Sequence, residues 1–187
     1  MSGGSRDSRK LRSRIRMMCY IGVMAALYVV LAVFVSIRAG NLRITFASLP
    51  VIVTAVLFGP GAGAAVALVG EFFNQLLTYG LSPTLPLWML PPALRGLMVG
   101  LAARWLAKGG KLPESRPVPY YACIVGAALL TTAANTVAIW LDSVFWGYYS
   151  FAYVFGATAS RLVAGVVTAV LMATASIPLV RMLRGRV

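Results

Sequence analysis

The chain has 187 residues, 60% of them hydrophobic and 11% charged, with a mean hydropathy of +0.85, which excludes a soluble globular domain of this length. Its net charge of +13 would suit nucleic acid on a soluble surface, but no aromatic stacking residues are interleaved with the basic runs. Histidine is absent, which removes His-based triads, His zinc sites and His proton relays.

The placement of the charge reads as topology. Arg6, Arg9, Lys10, Arg12, Arg14, Arg16, then Arg104, Lys108, Lys111, Arg116, then Arg181, Arg184 and Arg186 gather on one side of a helical layout, and by the positive-inside rule that side is cytoplasmic. Residues 1–16 read as a basic, flexible cytoplasmic tail able to meet anionic lipid, and residues 17–187 as a transmembrane domain. The apolar run Met17–Ile37 is too long for a cleaved signal and is taken as a retained first helix. Within it Gly22 and Ala26 form a small-xxx-small pair with Ala25 beside them, a face for close packing inside the chain or for a docking partner. Cys19 and Cys123 stand in no metal-like spacing and are expected as buried free thiols.

Arg38–Arg43 is expected as an outer loop whose two arginines run against the charge bias. A short second helix, about Ile44–Leu57, contains Pro50 and is expected to be broken or tilted beside a cavity. Phe58–Gly63, FGPGAG, reads as a tight inner turn. The third helix, about Ala62–Thr78, carries Glu71, Asn74, Gln75 and Thr78 at i, i+3, i+4 and i+7, a polar stripe on one face. Residues 79–90, broken by Gly80, Pro83 and Pro86, read as a loop or re-entrant segment, with Trp88 as interfacial anchor or lid aromatic. Pro91-Pro92 is placed in the first turn of a fourth helix running to Leu106, so that Arg95 and a helix N-terminus together favour an anion.

The fifth helix, about Val118–Leu141, carries a second stripe of Thr131, Asn135 and Asp142. The outer loop Asp142–Ser150 is rich in aromatics, Trp146 among them, and is open to two readings, an interfacial belt or a stacking surface for a flat ligand. The last helix is expected from about Ser160, with Arg161 in its first turn. The fold class that results is an all-α membrane protein of six transmembrane helices with both termini cytoplasmic.

Arg43, Arg95 and Arg161 all reach the outer half of this layout, and each arginine at membrane depth costs about 2.5–3.5 kcal/mol. Pairing of Arg95 with Glu71 or Asp142 offsets part of that. The surplus of positive charge suits a carboxylate-bearing ligand, with aromatic faces for a ring and Glu71, Asn74, Gln75 and Asn135 for hydrogen-bond direction. The sequence-predicted substrate site is therefore Arg43, Glu71, Asn74, Trp88, Arg95, Asn135, Trp146 and Arg161. No metal and no cofactor is expected.

The order FASLPVIVTAVLFGPGAG (Phe46–Gly63), an acidic residue on the third helix, LPPALRGLMVG (Leu90–Gly100) and a Ser-Arg start to the last helix resembles the S-components of energy-coupling factor (ECF) vitamin transporters. Within that family it looks most like the folate type. The resemblance implies a six-helix, non-enzymatic subunit of a prokaryotic plasma membrane that captures a vitamin outside. It implies docking, through Gly22, Ala25 and Ala26, on a transmembrane coupling protein bearing two ATPase subunits. The absence of a GxxxxGK[ST] phosphate loop agrees with ATP hydrolysis on a partner. Alternative ligands are pantothenate, a thiamine precursor, and cobalamin- or base-type vitamins. Alternative classes are a stand-alone secondary transporter and a lipid-phosphate membrane enzyme, the latter short of paired Asp motifs for Mg²⁺.

Overall fold

A computed structural model describes residues 3–39, 42–108 and 112–185, the side chains of residues 3–10, 37–39 and 42–44 excepted. Helix α1 (Gly3–Val33) leads into an antiparallel hairpin of β1 (Ser36–Ala39) and β2 (Leu42–Thr45), in which Ser36 pairs with Thr45 and Ala39 with Leu42. Then follow α2 (Ser48–Phe58), α3 (Pro60–Tyr79), α4 (Leu85–Ala107), a 3-10 turn (Pro113–Ser115), α5 (Pro117–Phe145), the short α6 (Phe151–Phe155) and α7 (Thr158–Arg184).

The bundle is built around α2. This 11-residue helix is apolar all round, and Ser48 and Pro50–Val56 are buried, as expected of a helix with no solvent or lipid face. Helices α1, α3, α4 and α7 pack on it. Ile52, Val53, Ala55 and Val56 meet Val99, Ala103, Ile124, Met172 and Ala173 in the main core. Lipid tails are as apolar as leucine, so close fit rather than escape from water holds such helices together. The sequence supplies that fit with small residues: Gly96 and Gly100 of α4 form a GxxxG pair, and a Cβ on either would strike the backbone of α3 at Gly63 or Pro60. The turn between α2 and α3 is tight for the same reason. Gly59, at φ 94°, is the only residue between α2 and α3, and Pro60 opens the next helix.

By length and composition the spans Leu11–Val33, Leu85–Ala107, Pro117–Phe145 and the run Phe151–Arg184 are long and apolar enough to cross a membrane, whereas Ser48–Phe58 is shorter. The chain is a multi-pass membrane protein, helical apart from one hairpin.

Several expectations are corrected. The first helix starts at Gly3, not Met17, and runs without a break through the basic segment, because nothing from Ser5 to Met17 breaks a helix and Arg, Lys and Leu favour one. It ends at Val33, where β-branched Val33 and Val35 lead into strand. The expected loop at 38–43 lies within the hairpin, apart from residues 40 and 41, outside the described residues. Pro50 does not break α2; it sits in the first turn, where its missing N–H costs nothing. Helix α4 starts at Leu85, inside the expected loop, with Pro86 in the first-turn position assigned to Pro91-Pro92. Pro91 and Pro92 lie in the helix interior, and each withholds the N–H that would bond the carbonyl of Leu87 or Trp88. Arg95 is therefore in the third turn of α4, and no helix N-terminus assists it. Helix α5 extends a turn past Leu141 and carries Asp142. Helix α7 opens at Thr158, which keeps Arg161 in its first turn. Cys123 is half-buried, and Cys19 is exposed on the outside of the bundle rather than buried. Lys111 and Arg186 lie outside the described residues.

Candidate functional site

The periodicity of α3 turns Glu71, Asn74 and Gln75 inward, all buried, while Phe73 and Leu77 face out. Glu71 is the junction of this cluster. Its Oε2 accepts the Tyr28 hydroxyl of α1 at 2.6 Å, and its Oε1 accepts Gln75 Nε2 at 2.7 Å and Asn74 Nδ2 at 3.1 Å. Gly70 makes the first bond reachable, because Tyr28 lies directly over its Cα. Hydrogen bonds to an ionised carboxylate are the strong kind, so the two carboxamides are held in a fixed orientation. A carboxamide carries both donors and an acceptor, so the pair presents both kinds of group to the cavity.

Arg95 projects from α4 towards α2 and α5. Its Nε donates to Thr131 Oγ1 at 3.3 Å and its Nη1 donates to Ser48 Oγ. Thr131 in turn donates to the carbonyl of Ala127 at 2.7 Å, which leaves its lone pairs for the guanidinium. The expected ion pair of Arg95 with Glu71 or Asp142 is absent. Glu71 is occupied by α1 and its own helix, and Asp142 accepts the Tyr148 hydroxyl. Burial, and then the bond to Asp142, push the Tyr148 phenol above its ordinary value. Arg161 donates from Nη1 to the carbonyl of Val154 at 3.2 Å, tying α6 to the start of α7.

One cavity of about 670 Å³ collects these groups. Of the eight sequence-predicted residues, Glu71, Asn74, Trp88, Arg95, Asn135, Trp146 and Arg161 all line it. Arg43 belongs to β2, and its side chain lies outside the described residues. The aromatics near the end of α5 divide: Trp146, Tyr148 and Tyr153 line the cavity, whereas Trp140, Phe145 and Phe151 are exposed away from it. Tyr148 and Tyr153 meet edge to face with centroids 5.6 Å apart.

Sequence reasoning missed Tyr28 and Ser48. Ser48 opens α2 and was legible only as a polar residue in an apolar run, and Tyr28 had no signal beyond its hydroxyl in mid-span. Gln75 is read from the sequence as a hydrogen-bonding group toward the ligand, whereas Thr131 and Asp142 were visible in the stripe of α5 but were not assigned to the site. Of the three residues expected to dock a partner, Gly22 and Ala26 face out of the bundle, while Ala25 is buried at 4% exposure against the core. Gly22 and Ala26 are four apart and share a face, whereas Ala25 is turned about 100° from its neighbour Ala26. Among the described residues no cluster of His, Cys, Asp or Glu is arranged to hold a metal.

A family profile described as ECF-type riboflavin transporter, S component, matches residues 12–184. UPF0397 proteins are similar over part of the chain: that of Lactobacillus johnsonii is 38% identical over 85 residues, 43% of this chain and 44% of the relative. The UPF0397 protein of Leuconostoc citreum is 33% identical over 102 residues, 53% of each chain. The matches thus span about half the length of these curated relatives. Among solved structures, the S component of a bacterial ECF transporter superposes with a TM-score of 0.63 at 18% identity, over 92% of this chain and 97% of that one. ThiT from Listeria monocytogenes superposes with a TM-score of 0.59 at 21% identity, over 87% and 96% of the two chains.

Proposed function

The chain belongs to the family of ECF-type S components, substrate-binding transport subunits that are not enzymes and leave ATP hydrolysis to partner subunits, and from that premise we propose that it captures a ring-bearing vitamin at the outer face of a prokaryotic plasma membrane. Its six crossings are α1, α3, α4, α5, α7 and the half-length α2 taken together with the hairpin that precedes it, with both termini cytoplasmic. Cargo is delivered through a coupling protein with two ATPase subunits, and Gly22 and Ala26 of α1 are the docking face.

The observation that carries this reading is the convergence of seven predicted residues from α3, α4, α5 and α7 and the segment after α5 on one cavity of about 670 Å³. That volume suits a vitamin-sized molecule, and the lining combines fixed carboxamides with aromatic faces. Asn74 and Gln75 suit the alternating donors and acceptors of a heterocyclic edge, and Trp146, Tyr148 and Tyr153 suit its flat face. Two ligands fit this description. Folate is favoured by its carboxylates against Arg95 and Arg161. Riboflavin is favoured by the description of the matching family profile.

Native mass spectrometry of the detergent-purified chain, alone and with added folate or riboflavin, tests the reading. A retained mass equal to either compound is expected. A chain indifferent to both, and to other ring-bearing vitamins, would overturn it.

A further inference from the structure

Depth along the helices orders the charges of the cavity. Helices α3 and α4 cross at Gly63–Gly96 and Pro60–Gly100 and so run antiparallel. Arg95 stands one residue outward of the first contact and Glu71 eight residues outward of it, a difference in level of about 10 Å. On α5, Thr131 meets Arg95, and Asp142 lies about 16 Å further out, beside the partly exposed Trp146, Tyr148 and Tyr153. Beneath Arg95 the cavity ends on Ile52, Val99, Ile124 and Met172, only 1–3% exposed and so presenting almost no surface. The closed floor therefore holds Arg95, while the outer levels hold Glu71 and Asp142 together with Arg161, whose Nη1 is tied to the Val154 carbonyl.

The floor cation is met by neutral groups. Both bonds given for Arg95 go to hydroxyls, and the ion pair found among the described residues, Glu114 with Arg184, is in another part of the molecule. Hydroxyl dipoles orient a guanidinium without neutralising it. A carboxylate or phosphate oxygen arriving there adds an ionic partner that the two hydroxyls do not supply, at a closed apolar end where such a contact is little screened.

We propose that the cavity takes its ligand anion first: the carboxylate or phosphate ester of an elongated molecule seats on Arg95 beside Ser48 and Thr131, and its ring stays outward among Asn74, Gln75 and the aromatic mouth. This rests on the reading of the cavity as the substrate site of an S component. It adds that an anionic end, not the ring alone, selects the ligand.

The full chain in detergent is titrated with riboflavin, flavin mononucleotide and folate, followed by ligand and tryptophan fluorescence. The two flavins share a ring and differ by a phosphate; folate supplies carboxylates. One anionic probe is expected to bind at least about 30-fold more tightly than riboflavin, flavin mononucleotide if the floor selects phosphate and folate if it selects carboxylate. Arg95→Ala is expected to weaken that probe about 30-fold or more, and riboflavin less than about threefold. Ser48→Ala leaves the guanidinium in place and is expected to weaken the same probe about threefold to tenfold, so the test stands even if Arg95→Ala fails to fold. Riboflavin binding as tightly as both anions, or a folded Arg95→Ala chain that binds the anionic probe unchanged, would overturn the anion-first seat and leave vitamin capture standing. Binding of none of the three probes would overturn the anion-first seat, and indifference to other ring-bearing vitamins as well would overturn vitamin capture with it.

Discussion

Gly96 of α4 lies so close to Gly63 of α3 that a Cβ on Gly96 would stand 2.6 Å from the Gly63 carbonyl carbon and 2.7 Å from the Ala64 nitrogen. Both obstacles are backbone, which cannot rotate aside as a side chain would. Arg95 precedes this contact directly, so the crossing also sets the depth of the guanidinium.

Gly96→Ala is therefore expected to destabilise the chain by about 1–3 kcal/mol, the range for overpacking a close contact. Gly22→Ala, where nothing lies within 4 Å of the added carbon, is expected to be neutral or to stabilise by up to about 1 kcal/mol through helix propensity. Thermal unfolding in detergent compares the two. Equal behaviour of both variants would contradict the close crossing.

Tyr28 and Glu71 join α1 to α3 by a 2.6 Å hydrogen bond to a carboxylate. Tyr28→Phe removes only the donor and keeps the ring over Gly70, so a loss of about 1.5–3 kcal/mol is expected in the same unfolding assay. Glu71→Gln is expected to loosen Asn74 and Gln75, which both donate to Oε1, and to weaken ring binding more than Tyr28→Phe does. Ligand titration of the two variants checks the order.

Where the 3-10 turn meets the end of α7, Glu114 sits 2% exposed while its partner Arg184, at 2.8 Å, is 34% exposed. Arg184→Ala leaves a buried carboxylate without its cation. A cost of about 3 kcal/mol is expected, the low end for an orphaned buried charge, because Arg184 is partly in water already. A melting temperature within a degree of wild type would show that the carboxylate finds water instead.

Gly22 and Ala26 face outward and Ala25 inward, so leucine at these positions separates docking from folding. Ala26→Leu is expected to leave ligand binding intact and to abolish uptake in cells that supply the coupling protein and ATPases. Ala25→Leu is expected to overpack the core and destabilise the isolated chain by about 1–3 kcal/mol. Uptake unaffected by Ala26→Leu would move the docking face elsewhere.

The polar stripes were legible because a membrane helix writes its inward face in period 3.6, and Glu71, Asn74 and Gln75 stand out against hydrocarbon. The start of α4 was not legible, because Pro86 and Pro91-Pro92 obey the same first-turn rule and only the packing of α4 on α3 decides between them. The hairpin had a signal in Gly40-Asn41 between two short β-prone stretches, outweighed by the expectation of an irregular loop between spans. The partners of Arg95 were beyond reach, since Ser48 and Thr131 are 47 and 36 residues away from it in sequence. Charge complementarity suggested an acid, and the fold supplied hydroxyls.

The central helix constrains how the protein is made. Eleven residues of α2 rise about 16 Å, roughly half the hydrocarbon thickness of a bilayer, so α2 cannot settle in lipid alone as it leaves the insertion machinery. The single residue Gly59 ties it to α3, and its buried faces are completed by α4 and α7, which are synthesised later. Biogenesis must then proceed with α2 and α3 entering as one reversed pair and waiting, incompletely wrapped, until the last helix arrives. A nascent chain truncated before α7 is thus predisposed to quality control, whatever ligand the finished protein carries.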